Sequence, residues 1–256
     1  MATLALKYTR ITDGGHISNS LSKNDFARFG VNMLALGEVS KESKIINALA
    51  VVFDLEGFTA FCNQIDPHLV VPEYLDAFLT WLFTTIAKKF TRKKKSEEVL
   101  IWGGLPFFAK FTGDGVLFLW NTDLCVGKRG IGNVVVLLRN VCDDYKNSFL
   151  SRISSAYSKV PSRLRVGICR GQVLSIGDGQ DYVGPCINMA SRLQKLGSLS
   201  FAVSRRGLDP AECMPANQKH FIVKKTSIRG IGDDELIILP KSDFDALPEQ
   251  DKKLFH

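Results

Sequence analysis

No run of about 18 uncharged apolar residues occurs in these 256 residues, so no segment qualifies outright as a membrane-spanning helix. Met1-Ala2-Thr3-Leu4-Ala5-Leu6-Lys7 meets a charge too soon for a signal peptide. The expectation is a soluble, cytoplasmic protein without a membrane partner. The six cysteines (Cys62, Cys125, Cys142, Cys169, Cys186, Cys213) include no C-x-x-C pair, which argues against a zinc site and fits reduced thiols that pack as small hydrophobes. An excess of acid is also lacking: the net charge is +7, with its main local source in Lys88-Lys89-Phe90-Thr91-Arg92-Lys93-Lys94-Lys95. That run follows an apolar helical pattern and reads as a solvated helix end whose cations complement the dipole. No interleaved aromatic platform accompanies it, so nucleic acid is not an expected partner.

What is present suffices for a core. With 45% hydrophobic residues the chain suits one large domain with extensions. Residues 1–44 read as a poorly regular N-terminal arm, with Gly14-Gly15 and a short helix near Asn24 to Leu36; residues 45–240 form the main domain and 241–256 a polar tail. Ala48 to Asp54 is an apolar run of strand length, and its turn opens a helix at Phe58 to Gln64. Leu75, Phe78, Leu79, Leu82, Phe83 and Ile86 give Leu69 to Lys89 the spacing of a long amphipathic helix. Phe107 to Lys110 and Val116 to Trp120 flank a Gly-Asp-Gly turn as a hairpin. Ile131 to Phe149 is a second amphipathic helix. Leu164 to Cys169 is a strand, with Gln172 to Gly177 as its partner. Asn188 to Lys195 is a helix, and Phe201 to Val203, Lys219 to Val223 and Leu236 to Leu239 are late strands.

Two aspartates stand at the ends of apolar runs, Asp54 in Val51-Val52-Phe53-Asp54-Leu55-Glu56-Gly57-Phe58-Thr59 and Asp114 in Phe111-Thr112-Gly113-Asp114-Gly115-Val116. A carboxylate leaving a buried strand is compensated well by a hard cation that also holds phosphate, and two of them suggest a two-metal phosphoryl-transfer site. Two later segments join them: Asp181-Tyr182-Val183-Gly184-Pro185-Cys186-Ile187-Asn188-Met189-Ala190-Ser191-Arg192-Leu193, and Ile228-Arg229-Gly230-Ile231-Gly232-Asp233. Together the four resemble, in order and spacing, the catalytic core of class III nucleotidyl cyclases over roughly residues 48 to 238. The resemblance implies an α/β (α+β) fold with a ferredoxin-like βαββαβ core, a central mainly antiparallel sheet and flanking helices.

It also implies a chemistry. Asp54 and Asp114, with the backbone carbonyl of Leu55, would hold two Mg2+ or Mn2+ ions, and the amides of Gly57, Phe58 and Thr59 would cradle phosphate. Asn188 would orient the ribose and Arg192 stabilise charge on the α-phosphate, the two lying four residues apart on one helix face. Arg229 stands where the family binds the triphosphate. Lys110 and Asp181 align with the pair that reads the base. The family's arginine before the Asn motif is replaced by Gln172, for which Arg170 compensates only if it points inward. Family members build the site between two chains, which implies a homodimer with shared active sites.

The Lys110/Asp181 pair satisfies adenine or uracil. These 256 residues carry no receiver, HAMP or PAS pattern, so a stand-alone format is the expectation, and Leu105 to Trp120 is rich in aromatics that would narrow a base pocket. That format resembles the pyrimidine cyclases of the Pycsar antiphage type, which implies UTP, ahead of CTP, as substrate, with cUMP as product. An adenylate cyclase making cAMP from ATP is the alternative. A degenerate cyclase-like domain that binds nucleotide without turnover is a rival of another class, opposed by the presence of both aspartates, Asn188 and Arg192. A palm-type polymerase or dinucleotide cyclase lacks support because Gly103-Gly104 runs into Leu105-Pro106 and Asp114 has no acidic neighbour.

Overall fold

The computed structural model describes residues 7–256 apart from 14, 15, 65, 95, 126, 156 and 158. In chain order its strands are β1 (Thr9–Asp13), β2 (His16–Ser20), β3 (Ile45–Glu56), β4 (Thr91–Lys94), β5 (Val99–Ile101), β6 (Phe108–Phe111), β7 (Gly115–Asn121), β8 (Arg163–Ile176), β9 (Asp181–Val183), β10 (Phe201–Ser204), β11 (Phe221–Ile228) and β12 (Gly232–Pro240). The α-helices are α1 (Lys23–Ala27), α2 (Phe58–Cys62), α3 (Pro67–Phe90), α4 (Gly127–Asp144), α5 (Leu150–Ile153), α6 (Pro185–Leu193), α7 (Pro210–Cys213), α8 (Lys241–Asp245) and α9 (Glu249–Lys252). The chain divides into two units: Met1–Ile46 with Leu174–Val183, and Asn47–Val173 with Gly184–His256.

The larger unit is built on strands in the order β11-β12-β10-β8-β3-β7-β6, antiparallel except where β10 runs parallel to β8. β3 is buried from Ala48 to Leu55, which is why it reads as a continuous apolar run. Its side chains divide by parity. Leu49, Val51, Phe53 and Leu55 join Val116, Phe118 and Trp120 of β7, Leu164, Val166 and Ile168 of β8, and the buried faces of α3 and α4 in one core. Ala48, Ala50, Val52 and Asp54 are buried on the opposite face. Helix α3 begins with Pro67 at its first turn and contributes Tyr74, Phe78, Trp81, Leu82, Ile86 and Phe90 to that core. By length and composition alone it is, among the described residues, the one helix apolar enough to cross a membrane.

In the smaller unit, β1 and β2 form an antiparallel hairpin, with α1 and a short 3-10 turn (Val31–Leu34) in place of the single helix expected near Asn24 to Leu36. Gly14 and Gly15, read as part of the arm, lie outside the described residues. The end of β8 pairs with β9, and Lys44 and Ser175 exchange hydrogen bonds, Lys44 N to Ser175 Oγ at 2.8 Å and Ser175 N to Lys44 O at 3.0 Å. Gly177 turns at φ 53°, where a Cβ would lie 1.3 Å from the Leu36 carbonyl oxygen, so only glycine fits.

Three sequence expectations need correction. The arm is not irregular from end to end; its hairpin was hidden because both of its faces are exposed and no apolar alternation marks it. Gln172 to Gly177 is not the partner of Leu164 to Cys169 but its continuation in one 14-residue strand, whose partner at that end is Asp181–Val183. Gly171, inside that strand, serves close packing, since a Cβ there would lie 2.9 Å from Cys186 Cβ. The segment 241–256 is not a free polar tail. It holds α8 and α9, buries Leu247 and Phe255, and exchanges backbone hydrogen bonds between His256 and Lys225 at 2.7 and 3.0 Å.

Candidate active site

Asp54 lies near the end of β3 on the face turned away from the aromatic core, 4% exposed. The neighbouring strand β7 delivers Gly115 opposite it, and the amide of Leu55 donates to the Asp114 carbonyl oxygen at 2.9 Å. A Cβ on Gly115 would fall 1.9 Å from the Phe53 carbonyl oxygen, so a glycine is what allows β7 to lie this close and set Asp114 beside Asp54. On the other side, β8 presents Arg165, whose Nε and Nη2 both donate to Asp54 Oδ2, at 3.0 and 2.5 Å. One step along the same two strands, the Arg163 guanidinium pairs with Glu56 through two bonds, Nη2 to Oε1 at 2.7 Å and Nε to Oε2, and its Nη1 reaches the Ser198 carbonyl. Two arginines at alternate positions of β8 thus face two carboxylates at alternate positions of β3.

Helix α6 reaches this face because Gly167 leaves room: a Cβ there would lie 2.0 Å from the Ala190 carbonyl oxygen. Cys186, Met189, Ala190 and Leu193 bury the underside of α6, which leaves Asn188 and Arg192 exposed on its outer face. Lys195, just beyond the helix, acts electrostatically on Asp54.

Burial is the largest influence on Asp54 and pushes its pKa up; the Arg165 hydrogen bonds and charge and the Lys195 charge pull it down, while the Asp114 charge pushes it up again. Glu56 is held below the usual carboxylate range, chiefly by its hydrogen bonds to Arg163. Lys110 is exposed on the edge strand β6, and Arg229 is exposed at the turn between β11 and β12. Asp181 opens β9 in the smaller unit, with its Oδ1 accepting from the Tyr182 amide at 2.9 Å. Phe58, expected to lend an amide to phosphate, puts its ring in the core, while Gly57 (φ 86°) and Thr59 are exposed. Helix α2 has only five residues, so its aligned dipole is small. Arg170 donates to the Gly207 carbonyl at 3.0 Å, and Gln172 is exposed.

Asp54 and Asp114 are hard oxygen donors of the kind Mg2+ and Mn2+ take. Arg165 and Lys195 offset the charge on Asp54, and both Arg165 bonds go to its Oδ2. As hard donors the pair fits a divalent cation. Among the described residues no three of His, Cys, Asp and Glu converge as a preformed cage, so the fit is to a cation completed by substrate phosphates and water, the habit of Mg2+.

No family model matches the sequence, and no curated protein matches it. Solved structures do match. The adenylyl cyclase CyaB from P. aeruginosa aligns over 78% of this chain and 96% of its own at 15% identity and TM-score 0.57. The fold is that of class III cyclases. The guanylyl cyclase Cya2 aligns over 78% of this chain and 94% of its own at 17% identity and TM-score 0.50. The catalytic core of a rhodopsin-guanylyl cyclase with converted specificity, in complex with ATPalphaS, aligns over 78% and 98% at 17% identity and TM-score 0.51. At such identities the likeness is one of fold, so the roles of the residues above rest on their own geometry and on the motif resemblance.

The sequence reading missed Arg163, Arg165, Glu56 and Lys195. A signal was present: Asp54-Leu55-Glu56 and Arg163-Leu164-Arg165 are both charged-apolar-charged triplets at the ends of strands, with charges spaced to share a face.

Proposed function

We propose that this chain is a metal-dependent nucleotidyl cyclase that converts a nucleoside triphosphate to its 3′,5′-cyclic monophosphate and pyrophosphate, with residues 45–240 as the catalytic segment. The observation that carries the reading is the Asp54/Asp114 pair, Asp54 near the end of β3 and Asp114 on the turn that leads into the neighbouring β7, in a cyclase fold with Arg165 fixing one oxygen of Asp54. Bound Mg2+ or Mn2+ supplies Lewis acidity at the 3′-hydroxyl and charge neutralisation at the triphosphate. Asp54 and Asp114, with the Leu55 carbonyl, hold the cations. Asn188 orients the ribose so that the 3′-oxygen faces the α-phosphorus. A bond from the 3′-oxygen to the α-phosphorus forms, the bond from that phosphorus to the α,β-bridging oxygen breaks with its electron pair leaving on pyrophosphate, and the hydroxyl proton passes to water. Arg192 meets the charge that builds on the α-phosphate, and Arg229 holds the departing pyrophosphate.

Asn188, Arg192, Lys110 and Arg229 are all exposed, as residues completed by a second copy would be, which supports a homodimer with shared sites. The triphosphate substrate favours a cytoplasmic setting. For the base, Lys110 and Asp181 match the O4 acceptor and N3 donor of uracil, and the aromatic side chain that shares a face of β6 with Lys110 is the half-buried Phe108. Phe118 and Trp120 do not contribute, because β7 turns them into the core. UTP, ahead of CTP, is the proposed substrate, in the manner of antiphage pyrimidine cyclases. The test is incubation with each of the four triphosphates and Mn2+, with products identified by mass. The proposal expects cUMP and pyrophosphate. A specificity constant for ATP equal to or above that for UTP would replace the pyrimidine reading with adenylate cyclase, and no turnover of any triphosphate would leave a nucleotide-binding domain.

A further inference from the structure

The segment from Lys88 to Trp102 carries none of the proposed site residues. β4 and β5 form a two-stranded ribbon separate from the main sheet, with Thr91 opposite Ile101, Lys93 opposite Leu100 and Lys94 opposite Val99, and a bulge at Arg92. Its base is tied to the end of α3 by the Trp102 amide donating to the Phe90 carbonyl at 2.9 Å. Side chains alternate faces along a strand, so Val99 and Ile101 point one way and Leu100 and Trp102 the other. Yet Val99 is 53%, Leu100 37%, Ile101 41% and Trp102 59% exposed. Neither face is covered. A flat protein surface would cover one face of such a ribbon; a medium that closes around it satisfies both.

Charge selects the medium. Six cations run from Lys88 to Lys95, and the only acids before Trp102 are Glu97 and Glu98 at the turn. Lys89 is paired with Asp144 at 2.7 Å, but Lys88, Arg92 and Lys93 are exposed, and the Arg92 guanidinium stands 5.0 Å from the centre of the Trp102 ring. Nucleic acid would use stacking rings, and three of the four apolar side chains are aliphatic. We propose that this ribbon docks the protein on an anionic lipid bilayer. Val99, Leu100, Ile101 and Trp102 enter the boundary between headgroups and acyl chains, while Arg92 and Lys93 contact acidic headgroups. This revises the expectation of no membrane partner, and it stands independently of which base the site selects.

The test is sedimentation of the full chain with vesicles of phosphatidylcholine alone and of phosphatidylcholine mixed equally with phosphatidylserine. Partitioning should occur on the mixed vesicles and fall with salt. Each cation contributes about fivefold, so Arg92→Glu with Lys93→Glu should lower partitioning by more than about tenfold. Leu100→Ser with Trp102→Ser should do the same, and both pairs sit on exposed positions that leave the fold intact, checked by circular dichroism. Trp81 and Trp120 are buried, so a blue shift of tryptophan emission on binding reports Trp102. No partitioning on mixed vesicles, or partitioning unchanged in both double variants, overturns the proposal. So does duplex DNA that displaces the vesicles and still binds the Trp102→Ser protein, or loss of self-association as the sole effect of the serine variants, which would assign the ribbon to nucleic acid or to a second copy.

Discussion

Removing Arg165 tests the site most directly, because it strips the partner from a carboxylate that is 4% exposed and leaves its other neighbours in place. Breaking a buried pair by deleting one member costs about 3–5 kcal/mol, since a desolvated charge is left alone. Arg165 is itself 18% exposed along its side chain, and Lys195 still attracts Asp54, which argues for the lower end, about 3 kcal/mol. For a chain of this size each kcal/mol shifts the melting temperature by roughly 2–4 °C, so Arg165→Leu should melt about 6–12 °C lower in the absence of metal. Adding Asp54→Asn to the same protein removes the stranded charge and should recover much of that loss, a coupling of about 2 kcal/mol. In the cyclase assay Arg165→Leu should weaken the apparent Mn2+ affinity by about 10–100-fold, as loss of a ligand-orienting partner does, with a smaller effect on kcat at saturating metal. A melting temperature within about 1 °C of the parent, or no recovery in the double variant, would show that the Arg165 bonds neither stabilise nor position Asp54.

Asp54→Asn or Asp114→Ala should abolish cyclisation under saturating Mn2+, and turnover near the parent level in either would sink the two-carboxylate assignment. Mixing inactive Asp54→Asn with inactive Asn188→Ala should restore part of the activity through heterodimers with one intact site, measured after subunit exchange; no recovery counts against shared sites. In the core, Tyr145 donates to the Pro161 carbonyl at 2.7 Å, so the 2.8 Å contact between hydroxyls has Tyr74 as donor. Tyr145→Phe strands two buried groups and should cost about 2–4 kcal/mol in urea unfolding, whereas Tyr74→Phe strands none outright and should cost about 1 kcal/mol; equal losses would contradict this hydrogen-bond direction. Burial pushes the Cys169 thiol from 9.0 up to about 12. Because the folded value is the higher, its contribution to stability is complete below pH 9 and is lost as pH rises through 12. Iodoacetamide at neutral pH should therefore leave Cys169 unmodified until the protein unfolds, as read by peptide mass.

Much of the larger unit was legible because its strands and helices are written in apolar runs. β3 and the β6/β7 hairpin showed as short runs broken at Asp54 and at Thr112-Gly113-Asp114-Gly115, and α3 showed by its spacing. β8 was misread as two strands because Cys169-Arg170-Gly171-Gln172 looks like a turn, while the physical demand on Gly171 is room for Cys186. The hairpin of β1 and β2 and the ribbon of β4 and β5 were invisible for a common reason. Both are exposed on each face, so burial imposes no period on their sequence. Among site residues, the aspartates and the Asn188/Arg192 spacing were legible as local motifs. Arg165 was not, since its meaning depends on a strand 111 residues away in sequence.

The division of β3 by parity explains why the site can exist in so apolar a sheet. Phe53 and Leu55 are held by the aromatic core, which fixes the strand against rotation, and the alternation then forces Asp54 and Glu56 onto the other face. There, β8 supplies Arg165 and Arg163 in the same step of two residues. The paired charges on both strands set the register of β3 against β8 as firmly as the core does, because a slip of one residue would send every carboxylate into the aromatic layer and every arginine after it. Asp114 lies outside that ladder, on the turn between β6 and β7. The two carboxylates Asp54 and Asp114 therefore stand together at the end of the sheet where the helix carrying Asn188 and Arg192 is admitted by Gly167. A cation bound there completes the charge pattern that the two arginines begin.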